Sequence, residues 1–269
     1  MHLHITIPAA DVSIQEILIA RLEDLGYDGF QQEGSHLDAY VQEENFNAAE
    51  LEELLSRWHL GYTRQGVPEK NWNEEWEKNF QPVIIGDFCA VRASFHAPIT
   101  NVAHELVITP KMSFGTGHHA TTYMMIKAMQ HLDLGGKSVL DFGTGTGVLA
   151  ILAERLGAGE VLAIDYDPWS IDNARENIEE NHMRRVRVEQ TDTIPNNPLF
   201  DIILANINKH VILKELARMK QQLTKGGVIL LSGLLLEDYQ DVENEALKND
   251  LPISERLNEG NWICLKLVK

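Results

Sequence analysis

The chain has 269 residues, is 44% hydrophobic and carries a formal net charge of −17, so it can bury a sizeable core as one large domain or two unequal ones. So acidic a chain repels phosphate backbones, which argues against direct nucleic-acid binding; the same charge favours basic partners or simply maintains solubility. No run reaches the roughly 18 to 20 apolar residues of a membrane helix, and Met1 to Pro8 alternates instead of forming a signal-peptide core, so a cytoplasmic protein without membrane contact is expected.

Residues 1–67 read as a unit of their own. Leu3, Ile5 and Ile7 alternate with polar neighbours as in a half-buried strand. Ile14, Ile17, Leu18, Leu22 and Leu25 then recur at helical spacing before Gly26. Strand-like Gly29 to Glu33 and alternating Leu37, Ala39 and Val41 follow, then a second helix after Asn47 with Leu51, Leu54, Leu55 and Trp58 on one face, and a last strand around Tyr62 to Val67. That order is a ferredoxin-like split βαβ module. It holds no cluster suited to catalysis, so a substrate-recognition role is expected. Residues 68–81 form a charged segment with Trp72, Trp76 and Phe80 four residues apart, which predicts a linker helix presenting three rings on one face, against the next domain or as an aromatic clamp.

From about Gln81 strands and helices alternate to the end of the chain, predicting an α/β domain over 82–269 with a doubly wound, mostly parallel sheet. Its strands are expected at Ser138 to Phe142, Val161 to Asp165, Val186 to Gln190, Asp201 to Asn206 and Gly227 to Gly233, with helices at Ser170 to Asn181 and Val211 to Leu223. The tail around Gly260 reads as an antiparallel strand pair. Cys89 and Cys264 have no metal-ligand spacing or disulfide framework and are expected to be reduced, buried thiols.

The strongest chemical signal is Val139-Leu140-Asp141-Phe142-Gly143-Thr144-Gly145-Thr146-Gly147-Val148, a strand running through a glycine-rich turn into a helix. Gly143 and Gly145 allow backbone to approach a nucleotide-like ligand. Val148 stands where a dinucleotide fingerprint needs its last glycine, which disfavours a pyrophosphate. Asp165 ends the next strand, 22 residues after Gly143, where a carboxylate accepts ribose hydroxyls; the competing role, capping the following helix, suits Asp167 better. Asp192, after the third strand, either meets an adenine amino group or forms a turn. Asn206 ends the fourth strand at the carboxyl edge, where open α/β sheets bind ligands, and its amide oxygen can accept a hydrogen bond from an amine.

A second cluster, Pro110-Lys111-Met112-Ser113-Phe114-Gly115-Thr116-Gly117-His118-His119-Ala120-Thr121-Thr122, reads as a glycine-hinged lid rich in donors. Adjacent His118 and His119 without a third ligand do not make a metal site, and His119 is a candidate proton acceptor.

The lid residues Phe114-Gly115-Thr116-Gly117 with Thr121-Thr122, the glycine motif, Asp165 and Ala205-Asn206-Ile207 together resemble the PrmA-type methyltransferases, which act on large-subunit ribosomal protein eleven. The resemblance runs over nearly the whole chain. It implies a class I methyltransferase fold, a doubly wound seven-stranded Rossmann-like sheet behind the ferredoxin-like domain, with S-adenosylmethionine as cofactor. The reaction implied is N-methylation of amino groups of that ribosomal protein. Cofactor contacts carried over by position are Thr122, Gly143, Asp165 and Asn206, to which the glycine motif, lid and third-strand loop add Gly145, Phe114, Thr116 and Asp192; Asn206 is also the expected catalytic residue. No metal is implied, and a monomer is expected. Thr144 stands where a cysteine is common in the family, and His118 and Ala120 replace other lid residues. The runner-up is a methyltransferase with the same core acting on another protein or a small molecule; a non-catalytic nucleotide-binding adaptor comes third.

Overall fold

The computed structural model describes residues 2–67, 81–109, 115, 117–196 and 198–269, and the chain divides into two compact units, Met1–Glu75 and Trp76–Lys269. The segment expected as a linker helix lies, at 68–80, outside the described residues, as do Phe114 and Thr116.

In the first unit β1 (His2–Ile7), α1 (Val12–Asp24), β2 (Tyr27–Glu33), β3 (His36–Gln42), α2 (Ala48–Ser56) and β4 (Thr63–Val67) form an antiparallel sheet of order β2-β3-β1-β4. This is the ferredoxin-like arrangement. Leu3, Ile5 and Ile7 of β1 and Leu37, Ala39 and Val41 of β3 turn inward and meet Leu18 and Leu22 of α1 and Leu51 and Leu55 of α2. Each helix starts on a side-chain cap: Asp11 accepts the amide of Ser13, and Asn47 accepts those of Ala49 and Glu50. Trp58, expected on α2, lies beyond its end but still packs on this core.

The second unit opens with a three-stranded sheet that alternation did not reveal: β5 (Val83–Ile85) antiparallel to β6 (Cys89–Arg92), which runs parallel to β7 (His104–Val107). These strands are only three or four residues long, and all four residues of β6 are buried, so no period-two pattern exists to read. After α3 (Ala120–Met129) come β8 (Ser138–Phe142), α4 (Val148–Arg155), β9 (Glu160–Asp165), α5 (Pro168–Glu180), β10 (Val186–Gln190), β11 (Phe200–Asn206), α6 (Lys209–Gln222), β12 (Leu223–Leu235), α7 (Tyr239–Lys248), β13 (Ile253–Glu259) and β14 (Trp262–Val268). They build a seven-stranded sheet of order β10-β9-β8-β11-β12-β14-β13, parallel except for β14, which runs antiparallel to both neighbours.

The strand order reverses between β8 and β11, so the crevice beyond their carboxyl ends is where such a sheet binds ligands. Both strands are buried on two faces, with Leu140, Ile203 and Ala205 inaccessible, and the edges facing that crevice therefore sit on a rigid base.

Candidate functional site

The glycine turn is clamped onto its neighbour. The amides of Gly143 and Thr144 both donate to Ile164 O, at 2.9 and 3.0 Å, tying the end of β8 to the end of β9. Gly143 adopts φ +76°, and a Cβ there would lie 2.3 Å from Ile207 Cγ2, so its lack of a side chain lets the loop after β11 close against the turn. Beneath it Asp141 accepts the Thr144 hydroxyl at 2.6 Å; burial pushes its carboxyl up to about 7 against that bond.

Asp165 closes β9 with little exposure. Its Oδ2 accepts the Gly145 amide at 2.9 Å and its Oδ1 the Asp167 amide at 3.1 Å, which fixes the carboxylate while each oxygen keeps a lone pair for a further donor. Burial raises its pKa, and those backbone bonds oppose the rise. Capping of α5 falls to Asp167, which accepts from the Trp169 and Ser170 amides. Beside Asp165, Tyr166 is 76% exposed, and its carbonyl accepts a hydrogen bond from Gln190. Nothing in the pattern of the sequence marks such an exposed ring. Across the rim the Thr191 amide donates to Asp165 O, and the exposed Asp192 accepts the Thr193 hydroxyl at 2.8 Å.

Asn206 ends β11 on the other side of the switch point. Its Nδ2 donates to Thr122 Oγ1 at 3.1 Å, while its Oδ1 is shielded from solvent and has no hydrogen-bond partner among the described residues. Thr122 sits fully buried on α3, so the helix holds the amide in one orientation. The following backbone is held too: Ile207 donates to Ser232 O, and Gly233, at φ +82°, comes so near that a Cβ would fall 2.2 Å from Ile207 O. Gly233 escaped sequence reading because its partner is 26 residues away.

From the segment expected to form a lid, the Gly115 carbonyl accepts the Thr146 hydroxyl at 2.7 Å. His119 caps α3: its Nδ1 accepts the Thr121 amide at 3.4 Å, lies 2.8 Å from the Thr121 hydroxyl, and its ring packs edge-on against Trp262. Burial lowers its pKa to about 4, so it is a weak base placed for structure, which disfavours its role as proton acceptor. The His118 ring is engaged with Gln81 O, and among the described residues no group of three His, Cys, Asp or Glu could hold a metal ion. Cys89 and Cys264 are buried free thiols, raised to about 12 by burial.

The structure thus joins Thr122 to Asn206 and Gly145 to Asp165 directly, with Gly143 and Asp192 on the same edge. Residues 141–150 contain no Lys or Arg, and Asp165 offers acceptors, an arrangement that matches a nucleoside with hydroxyls and a positive centre better than a pyrophosphate.

Comparison with known proteins matches residues 5–269 to the family model described as ribosomal protein L11 methyltransferase (PrmA). The chain is 40% identical over 259 residues to a ribosomal protein L11 methyltransferase of Porphyromonas gingivalis, covering 93% of this chain and 89% of that protein. It is 36% identical over 264 residues to one from Phocaeicola vulgatus, covering 95% and 94%. Among solved structures it resembles ribosomal protein L11 methylase from Lactobacillus delbrueckii subsp. bulgaricus, with a TM-score of 0.65 and 26% identity over 70% of this chain and 98% of that one. A Pyrococcus furiosus methyltransferase, at 22% identity and TM-score 0.52 over 61% of this chain and 89% of that one, shares the fold. Among the described residues no helix is long and apolar enough to cross a membrane.

Proposed function

Since the chain belongs to the ribosomal protein L11 methyltransferase (PrmA) family of S-adenosylmethionine-dependent enzymes, we propose that it methylates amino nitrogens of ribosomal protein L11, on lysine side chains, the N-terminal amine or both. The observation that carries this reading is the Asn206 amide, whose Nδ2 is committed to Thr122 and whose buried Oδ1 has no partner among the described residues. A buried acceptor left open costs free energy unless a ligand donor meets it, and a neutral amine supplies an N–H while keeping its lone pair for a methyl group.

The residues present fit the cofactor. Asp165 receives the ribose hydroxyls, the Gly143 to Gly145 backbone borders the nucleoside, and Thr122 acts through Asn206. Asp192 is the candidate for the adenine amino group, and Phe114 and Thr116 for cover from the lid. S-adenosylmethionine, when bound, supplies the activated methyl; the protein contributes alignment and electrostatics, and no covalent enzyme intermediate is needed. The nitrogen must arrive neutral. At pH 7 that costs about 4 to 5 kcal/mol for a lysine and about 1 kcal/mol for an α-amino group, so the N-terminal amine is the easier target. With His119 held near 4 by burial, the proton leaves to water.

The N-terminal unit serves as the recognition domain for the ribosomal protein, and the net charge of −17 suits a basic protein substrate. The enzyme acts in the cytoplasm as a monomer, without binding nucleic acid. The test is intact-mass analysis of purified ribosomal protein L11 after incubation with the enzyme and S-adenosylmethionine. Gains in methyl steps, located by fragmentation at amino nitrogens, are expected. No gain from an enzyme that binds the cofactor would overturn the substrate assignment.

A further inference from the structure

Helix α5 carries Asn173 and Asn177, and Asn181 follows as its C-cap, spaced four residues apart; all three are buried. Asparagine is a mediocre helix former, and burying its amide is costly without partners, so three on one inward face call for a physical reason. The reason is the free edge of β7. Ile108 donates to Arg92 O, so that residue bonds toward β6, while Val107 and Thr109 present their backbone groups to the helix. Asn181 accepts the Val107 amide at 2.9 Å and donates to Val107 O at 2.6 Å. Asn177 accepts the Thr109 amide at 2.8 Å, and Asn173 donates to Thr109 O at 3.4 Å. Four residues of helix rise about 6 Å and two of strand about 6.6 Å, so the side-chain amides keep step with alternate strand residues and replace a missing strand.

Asn177 does more than extend the register. Its Nδ2 donates at 2.8 Å to the carbonyl of Thr146, inside the glycine turn between Gly145 and Gly147. Thr146 is itself fully buried, and its hydroxyl reaches Gly115 O. One side chain therefore links the extension of β7 at Thr109 to the backbone of the turn, one residue after the amide that fixes Asp165.

We propose that Asn177 is a positioning residue for cofactor binding: it holds the Thr146 carbonyl, and with it the Gly145 to Asp165 contact, in the geometry that S-adenosylmethionine requires. Asn181, which makes the same kind of contact to Val107 but does not touch the turn, is the internal control.

The inference rests on the S-adenosylmethionine reading, and its test is direct binding of S-adenosylhomocysteine by calorimetry, with steady-state kinetics beside it. Asn177→Asp keeps an acceptor for the Thr109 amide but sets a carboxylate against the Thr146 carbonyl; Asn181→Asp makes the equivalent change at Val107. Both variants should melt lower than the wild type. Asn177→Asp should weaken binding about tenfold or more and raise KM for S-adenosylmethionine with kcat at saturation within about threefold, whereas Asn181→Asp should bind within about twofold of the wild type. Asn177→Ser, which withdraws both bonds without adding charge, should show the same split and stands in if the aspartate variant does not fold. Equal weakening in the position-177 and position-181 variants, or none in either, would overturn the positioning role and leave the cofactor assignment standing. A wild type that bound no S-adenosylhomocysteine would overturn both.

Discussion

Replacing Thr122 by valine asks whether Asn206 works as an oriented acceptor. The side chains are nearly equal in volume, so packing of α3 is preserved while the hydroxyl that receives Asn206 Nδ2 at 3.1 Å disappears. Thr122 is fully buried, so the abandoned N–H loses its partner at a desolvated position, which sets the stability loss at about 1 to 3 kcal/mol. A separate effect is functional. With Thr122 in place the amide has one held orientation, its Nδ2 on the helix and its Oδ1 without a partner among the described residues. Without it the amide can turn its NH2 toward the incoming amine, whose own hydrogens it then opposes. Loss of one preorganised group at a reacting centre corresponds to about 10- to 100-fold in kcat, or about 1.4 to 2.7 kcal/mol. The assay is single-turnover methylation of ribosomal protein L11 at saturating cofactor, with thermal melting alongside, and Thr122→Ser as the variant that retains the hydroxyl. Serine should stay within a fewfold of the wild type. If valine lowered the melting temperature but left the single-turnover rate unchanged, the oriented-acceptor argument would be wrong.

Asp165→Ala removes a charged acceptor, a loss of about 1.5 to 3 kcal/mol, so the dissociation constant for S-adenosylmethionine measured by calorimetry should rise about ten- to a hundredfold. His119→Asn keeps a side chain able to cap α3, so kcat and its pH profile should remain close to the wild type's; loss of an inflection on removing the ring would reinstate it as a base. Asp141 has a folded-state pKa raised by burial to about 7 from an ordinary 3.8, so the native protein keeps a proton that the unfolded chain releases. Its contribution to stability is greatest below pH 3.8 and declines as pH rises to about 7. Melting temperatures of the wild type should therefore fall relative to Asp141→Asn between about pH 4 and 7, and a constant difference across that window would show that Asp141 is not so perturbed. His119, whose lowered pKa acts in the opposite sense, is present in both proteins and cancels from the difference.

What could be read before the fold was known divides along physical lines. The strands β8, β9, β11 and the centre of β12 were legible because each holds an apolar run bounded by turn residues, and the glycine turn because its chemistry is contiguous in sequence. Asp165 and Asn206 were legible for a related reason: each ends a recognisable strand, so chain position alone put them on the carboxyl edge. Contacts between distant segments were opaque. Asn173, Asn177 and Asn181 stand four residues apart in the sequence, but nothing local says that the free edge of β7 lies opposite them; β6 and β7 are only four residues each and show no alternation that would have revealed it. Gly233 looked like the end of a strand, and only its approach to Ile207 O explains why no side chain fits there. His119, next to His118 in a glycine-rich loop, had the composition of a catalytic base. Burial against Trp262 and the Thr121 contacts make it a cap, since proton affinity depends on surroundings that sequence does not display. Among the described residues, the groups that remain open at the switch point include the lone pairs of Asp165 and the unpartnered oxygen of Asn206. One suits hydroxyls and the other an amine, and the distance between their two strands along the sheet edge is bridged by the glycine turn, the element whose geometry Asn177 sets.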